Sequence, residues 1–282
     1  MSIAKYLDKL QNLYGKEILI TGGTSGIGLH IVDQLLYKGA DVTILARNQN
    51  KALEVKNKML KKYPNGQINL INYDQSSFES IQDAVNEILT NHGNFYALIL
   101  NAGVFARGEN AKGNTTIKTN FVGIGYFLKT LVPNLKNKHR IILQGSLCAG
   151  YKLKRINSLD DEVSNWQQYL ISKAGVEMLY YHYNELNYPN LSFYLIEPGL
   201  TSTAIIREFP TPIRELGTLF LKVASHAPSK AALTAMKALQ EDARPCFIVP
   251  RGFLDWRGYP KVKAFPKKRV RTSLYQLLET VI

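Results

Sequence analysis

The chain has 282 residues, 45% of them apolar and 20% charged, and a formal net charge of +13. That length admits one large α/β domain or two small ones, and the apolar share suits a globular protein. No run of eighteen apolar residues occurs, which excludes a membrane-spanning helix of the ordinary kind, and Cys148 and Cys246 are too far apart for a metal-binding pair.

The first residues, Met1 to Asp8, lack the apolar core and cleavage site of a signal peptide. With two cysteines read as free thiols, the expectation is a reduced, cytoplasmic protein. Residues 2–14 predict a short amphipathic helix with Ile3, Tyr6, Leu7 and Leu10 at helical spacing. A first strand at 17–21 then runs into Gly22-Gly23-Thr24-Ser25-Gly26-Ile27-Gly28. A strand, a glycine turn and a helix together offer free backbone N–H groups and a helix N-terminus to a phosphate. A Cβ at such positions would block a pyrophosphate or strain the backbone. The spacing is G-x-x-x-G-x-G, and a tight turn that binds nothing is the alternative.

The alternation continues. Residues 27–37 predict a helix stopped by Gly39, 41–46 a buried strand, and 48–62 a helix with the stripe Ala52, Val55 and Met59. Strand 68–73, helix 78–89 and strand 96–100 follow, then one long helix at 111–135 interrupted only by Gly123 and Gly125. Strand 141–144, helix 169–186 and strand 191–196 lead to an irregular section at 200–227, a helix at 229–241 and a last strand at 246–249. Repeated β-α units predict α/β architecture: a single domain with a doubly wound parallel sheet of about seven strands and helices on both faces. The core spans 15–250 and a basic extension 251–282. Within 251–271, eight Lys and Arg stand against Asp255 alone. A solvated face is the favoured reading, because no nucleic-acid fold signature accompanies the charge and nucleic acid is not expected. A weak contact with a membrane surface is the other reading.

In a doubly wound sheet, ligands gather at the carboxyl ends of the strands. Those ends carry Thr21-Gly22, Arg47, Asp74, Asn101-Ala102-Gly103, Gly145-Ser146 and Pro198-Gly199, which together outline an elongated dinucleotide cleft. An acid commonly closes the second strand to hold a ribose 2′-hydroxyl, whereas here Ala46 is followed by Arg47. A guanidinium pairs with a 2′-phosphate, so NADP(H) is expected over NAD(H), with Asn48 as a second donor. The plain alternative is a surface Arg that begins a helix. Tyr169 and Lys173 lie one helical turn apart, so phenol and ammonium share an environment. A cation about 4 Å away at an effective dielectric near 20 contributes roughly 4 kcal/mol, or about three pKa units at most. That predicts a lowered phenol, poised to exchange a proton with an alcohol or carbonyl.

These residues in this order make the chain resemble a short-chain dehydrogenase/reductase: Thr21-Gly22-x-x-x-Gly26-x-Gly28, Asn101-Ala102-Gly103, Asn120, Ser146, Tyr169-x-x-x-Lys173 and Pro198-Gly199. The likeness covers 15 to about 250 and implies a Rossmann fold. It further implies that Tyr169 is the general acid/base, that Ser146 holds the substrate oxygen, and that Lys173 binds the nicotinamide ribose and lowers the tyrosine. By the same resemblance Asn120 positions a water, Asp74 meets the adenine and the Asn101 segment the adenosine ribose. Thr203 would meet the carboxamide, with Thr201 in the same cofactor-binding stretch. The pattern departs at Leu100, at Glu197 and in the 23-residue interval from Ser146 to Tyr169. The insertion at 152–167 loosely resembles that of members acting on retinoids or other lipophilic carbonyls.

The expected function is therefore an NADP(H)-dependent oxidoreductase that moves a hydride between nicotinamide and a small ketone, aldehyde or alcohol of lipophilic character. The alternative is a catalytically silent NADP(H)-binding sensor. His182 and Glu185 read as helix surface rather than a metal seat, and Cys148 as structural. Tyr180, Tyr181, Tyr183 and the apolar run 121–132 read as core or as a homo-oligomer face.

Overall fold

The computed structural model describes residues 1–150, 153, 156, 158, 159, 161–201, 226–242, 246–252, 255–265, 274, 277 and 279. One eight-stranded sheet carries the molecule, in the order β3-β2-β1-β4-β5-β6-β7-β8. The strands are β1 (Glu17–Thr21), β2 (Asp41–Ala46), β3 (Ile68–Asn72), β4 (Ala97–Leu100), β5 (His139–Gln144), β6 (Leu191–Ile196), β7 (Cys246–Pro250) and β8 (Pro260–Lys263). The first seven are parallel, and β8 returns antiparallel along β7. That eighth strand arises from the basic extension, one more than the seven expected.

Helices cover both faces, because side chains alternate across each strand. On one face α2 (Gly26–Tyr37), α3 (Gln49–Lys62), α8 (Pro228–Ala231) and α9 (Leu233–Ala238) bury Ile31, Leu35, Val55 and Met236 against Ile18, Ile20 and Ile44. On the other, α4 (Phe78–Asn91), α5 (Thr115–Ile117), α6 (Gly123–Leu131) and α7 (Asn165–Glu185) pack against Leu19, Leu98, Leu143 and Leu195. The N-terminal α1 covers only Ile3–Leu7, five residues of the 2–14 stretch that the periodicity suggested.

The expected long helix at 111–135 is not one helix. It breaks into a 3₁₀ segment at 108–114, α5, a π-helical turn at Lys118–Val122, α6 and a final 3₁₀ turn at Val132–Asn134. Gly113 and Asn114 sit at φ +62° and +56°, which ends any helix before Thr115. The amide of Asn114 is held there by the carbonyls of Leu159 and Asp161, both at 2.8 Å. The expected helix at 229–241 is likewise divided into α8 and α9.

Residues Gln168 through Tyr180 of α7 are all buried. A helix covered on every side is a core element, and here the chain supplies the cover itself. Leu274 and Leu277 join that core, and Phe265 packs its ring on Tyr180 at 5.4 Å and on Phe247 at 5.7 Å. Tyr180, Tyr183 and the apolar residues of the 121–132 run other than Tyr126 are buried in the core of this chain, whereas Tyr181 is half-buried and Lys129 exposed. Among the described residues, no helix is long and apolar enough to cross a membrane.

Candidate active site

The strand order reverses direction between β1 and β4, which opens a crevice at their carboxyl ends. Register pairing places Thr21 beside Leu45 and Leu100, and Gln144 beside Ile196, so the predicted polar residues emerge along a single edge. Thr21 is fully buried and its hydroxyl accepts from the backbone N–H of Asn101 at 3.1 Å and of Ala102 at 3.0 Å. The amide of Asn101 donates to the carbonyls of Thr21 at 3.0 Å and Gly22 at 3.2 Å. That side chain therefore ties the glycine loop to β4 as a brace.

Within the loop, Gly22 lies at φ +70°, and a Cβ there would come within 2.9 Å of Ala102 Cα. A Cβ on Gly28 would run into the carbonyl of Gly22 and stand 2.6 Å from Asn101 Nδ2. Both glycines are needed for close packing. Gly26 differs: it has φ +53°, and no atom lies within 4 Å of where its Cβ would stand, so it borders open space at the start of α2. Ser25 occupies the N-cap without a side-chain cap bond. The first N–H groups of a twelve-residue helix thus face an open cradle, the arrangement a pyrophosphate requires. The loop fits the dinucleotide that the sequence implied.

Arg47 follows β2 and is exposed, with Nη1 3.9 Å from Asp74 Oδ2. Asn48 caps α3, its Oδ1 accepting from Lys51 N at 2.9 Å, which leaves its amide N–H₂ for a ligand. Asp74 Oδ1 accepts from Ser76 N at 2.9 Å and Ser76 Oγ at 2.6 Å.

The reactive cluster forms where the π turn, the end of β5 and α7 meet. Gly175 lets them meet, since a Cβ there would strike the Phe121 ring. Lys173 Nζ donates to the Gln144 carbonyl at 3.1 Å. A Cβ on Gly103 would lie 3.5 Å from Asn120 Oδ1 and 3.7 Å from Lys173 Nζ, which places all three together. Asn120 sits inside the π turn, a deviation common at functional positions. Its amide donates to Val104 O and accepts from Val104 N, both at 2.8 Å, and also donates to Ser172 Oγ at 3.3 Å. The side chain clasps the loop after β4 rather than reaching for solvent.

Burial, the larger cause, drives the Tyr169 phenol well above its ordinary range, with the Cys148 sulfur adding to it and a hydrogen bond from Ser146 opposing. Burial likewise lowers Lys173 to about 8, against the raising influence of Cys148 and Glu177. The expected lowering of the phenol by Lys173 is not what the chain alone produces. Loss of water around the phenolate and the Cys148 sulfur both raise it, and the ammonium is directed to the Gln144 carbonyl. Cys148 lies beside this cluster: it is half-buried, its N–H reaches Ser146 Oγ at 3.3 Å, and its sulfur raises both Tyr169 and Lys173.

At the end of β6, Gly199 takes φ +74° and Leu200 N donates to Trp256 O at 2.7 Å. Thr201 is buried and bridges to His226, while His226 Nε2 meets Pro198 O at 2.6 Å. His226 so braces the Pro198–Thr201 segment, a role no spacing in the sequence signalled. Thr203 lies outside the described residues. No group of three metal-ligating side chains occurs among the described residues.

Residues 16–213 match the family model described as short chain dehydrogenase. A chloroplastic short-chain dehydrogenase of Brassica napus, TIC 32 B, is 28% identical over 80% of this chain and 76% of its own length. Human dehydrogenase/reductase SDR family member 13 is 26% identical over 83% of this chain and 65% of its own. Among solved structures, a Shigella flexneri protein complexed with NADP shares the fold at a TM-score of 0.65 and 20% identity, over 84% of this chain and 95% of that one.

Proposed function

The chain belongs to the short-chain dehydrogenase family, and from that premise we propose that it is an NADP(H)-dependent oxidoreductase that reduces a ketone or aldehyde with Tyr169 as the general acid. The observation that carries the reading is the convergence of Ser146, Tyr169, Lys173 and Asn120 at the sheet edge that also bears the open glycine cradle. The N–H groups at the start of α2 would hold the dinucleotide's pyrophosphate, and Lys173 and Gly103 would border its ribose. Arg47, exposed at the end of β2 where no acid stands, pairs with a 2′-phosphate and favours NADP(H).

When bound, reduced nicotinamide supplies the hydride for the carbonyl carbon. The chain's own residues manage the oxygen. The Ser146 hydroxyl holds the carbonyl oxygen beside Tyr169, and the Tyr169 O–H gives its proton to the alkoxide that forms. A phenol whose pKa is raised by burial stays protonated at neutral pH, so the proton that the alkoxide needs is in place. Lys173 keeps positive charge near the developing oxyanion as long as it is protonated.

The test is NADPH oxidation against a panel of carbonyl compounds. Tyr169→Phe abolishes turnover and leaves NADPH affinity nearly intact; an unaffected rate overturns the assignment. NADPH binding with no turnover on any carbonyl would favour the sensor instead.

A further inference from the structure

Two aromatic rings stand against Tyr169. The Phe105 ring is centred 5.5 Å away and tilted by 58°, and the Trp166 ring is centred 6.1 Å away and nearly parallel, at 23°. Trp166 lies one turn before Tyr169 on α7, so the two project from the same helix face. Both flanking residues are half-buried, so each keeps part of its surface open.

The placement of Phe105 is fixed from both sides. Val104, just before it, is clasped through N–H and C=O by Asn120, each bond 2.8 Å. Ala106, just after it, donates its N–H to Thr116 Oγ1 at 3.0 Å. The Arg107 guanidinium lies over the Phe105 ring at 5.4 Å. A ring held this way loses little freedom when a ligand packs on it, which is what makes a contact selective.

The geometry points to Phe105 and Trp166 as specificity-determining residues that select a flat, conjugated carbonyl compound over a puckered, saturated one of the same size. This rests on the carbonyl-reductase reading of the same site. A planar π-system can lie against rings set at these angles in offset or edge-to-face contact, whereas a saturated ring gains only the area term. The carbonyl of a flat ligand held there meets the Tyr169 hydroxyl, and the plane of its rings is set by the aromatic pair. Asn120, already part of the reactive cluster, thereby also positions the selective surface through Val104.

The experiment compares acetophenone with cyclohexyl methyl ketone, which carry the same number of carbons, for the cofactor-loaded full chain. Affinities come from calorimetry with oxidised NADP+ bound, so that no hydride is transferred, and KM and kcat from NADPH oxidation. The native protein binds the flat ketone about tenfold more tightly. Phe105→Ala and Trp166→Ala each reduce that ratio severalfold by weakening acetophenone more than the cyclohexyl ketone, with NADPH affinity unchanged. Trp166→Phe restores most of the ratio. Equal affinities in the native protein, or equal loss of both ketones in the variants, overturns the inference. Because binding is read apart from turnover, flat-ketone binding that obeys this pattern with no NADPH oxidation upholds the aromatic selection and counts against the reductase reading alone.

Discussion

Lys173 Nζ donates to the carbonyl oxygen of Gln144 at 3.1 Å, across the gap between α7 and the end of β5. The ammonium is held at the sheet edge with its titration brought down to about 8. It is charged below that value and neutral above it, so carbonyl reduction falls as pH rises through about 8. A rate profile from pH 6 to 10 checks this, and Lys173→Met removes both the inflection and most of the activity. A rate still rising beyond pH 9 would contradict the assignment.

Gly26 and Gly28 fail differently. Gly28→Ala forces a methyl into the Gly22 carbonyl and lowers thermal stability together with NADPH binding. Gly26→Ala meets no atom, and only its left-handed φ of +53° adds strain, about 1–2 kcal/mol. It leaves a cooperative fold but places a methyl in the cradle. Thermal melts with parallel NADPH titrations separate the two.

Arg47 is exposed and 3.9 Å from Asp74, so the pair contributes little to stability. Arg47→Ala leaves the melting temperature unchanged and shifts the NADPH-to-NADH preference tenfold or more towards NADH. An unmoved ratio means that the 2′-phosphate is not read at this position.

The two thiols are unequal. Cys246 is buried and pushed up to about 12 by that burial, whereas Cys148 is half-buried beside Tyr169 and Lys173. Iodoacetamide labels Cys148 first, and the loss of NADPH oxidation tracks that labelling. Cys148→Ser retains activity and resists the reagent. Mass spectrometry of the labelled peptides reads the order.

His139 is buried with Nδ1 donating to the Phe95 carbonyl at 2.6 Å, and burial lowers its pKa. The unfolded chain takes up the proton more readily, so stability is full above about pH 6.5 and falls as pH drops below it. Denaturant midpoints at pH 7 and pH 5 measure the loss, which His139→Gln reduces.

Much of this was legible in the sequence because buried parallel strands read as short apolar runs. Several of the runs here end beside a polar residue at one sheet edge, as at Thr21, Asn101 and Ser146. The spacing from Tyr169 to Lys173 fixed a shared helix face without any tertiary information. The broken segment before Asn120 was not legible, since the left-handed Asn114 depends on carbonyls at 159 and 161. Nor could pattern alone place Cys148 or His226, whose partners come from other elements. The depressed Lys173 and raised Tyr169 were missed because pair spacing carries the Coulomb attraction but not the cost of leaving water.

Strand β8 bears on how the molecule keeps to itself. Its outermost rung begins with Pro260, which has no N–H to offer, and carries Lys261 and Lys263, both drawn onto Asp255 at 3.1 and 2.6 Å. An extended peptide arriving at that border meets two ammonium groups and a missing donor. The short polar rung thereby guards the apolar β7 behind it from the edge-to-edge stacking that seeds aggregates.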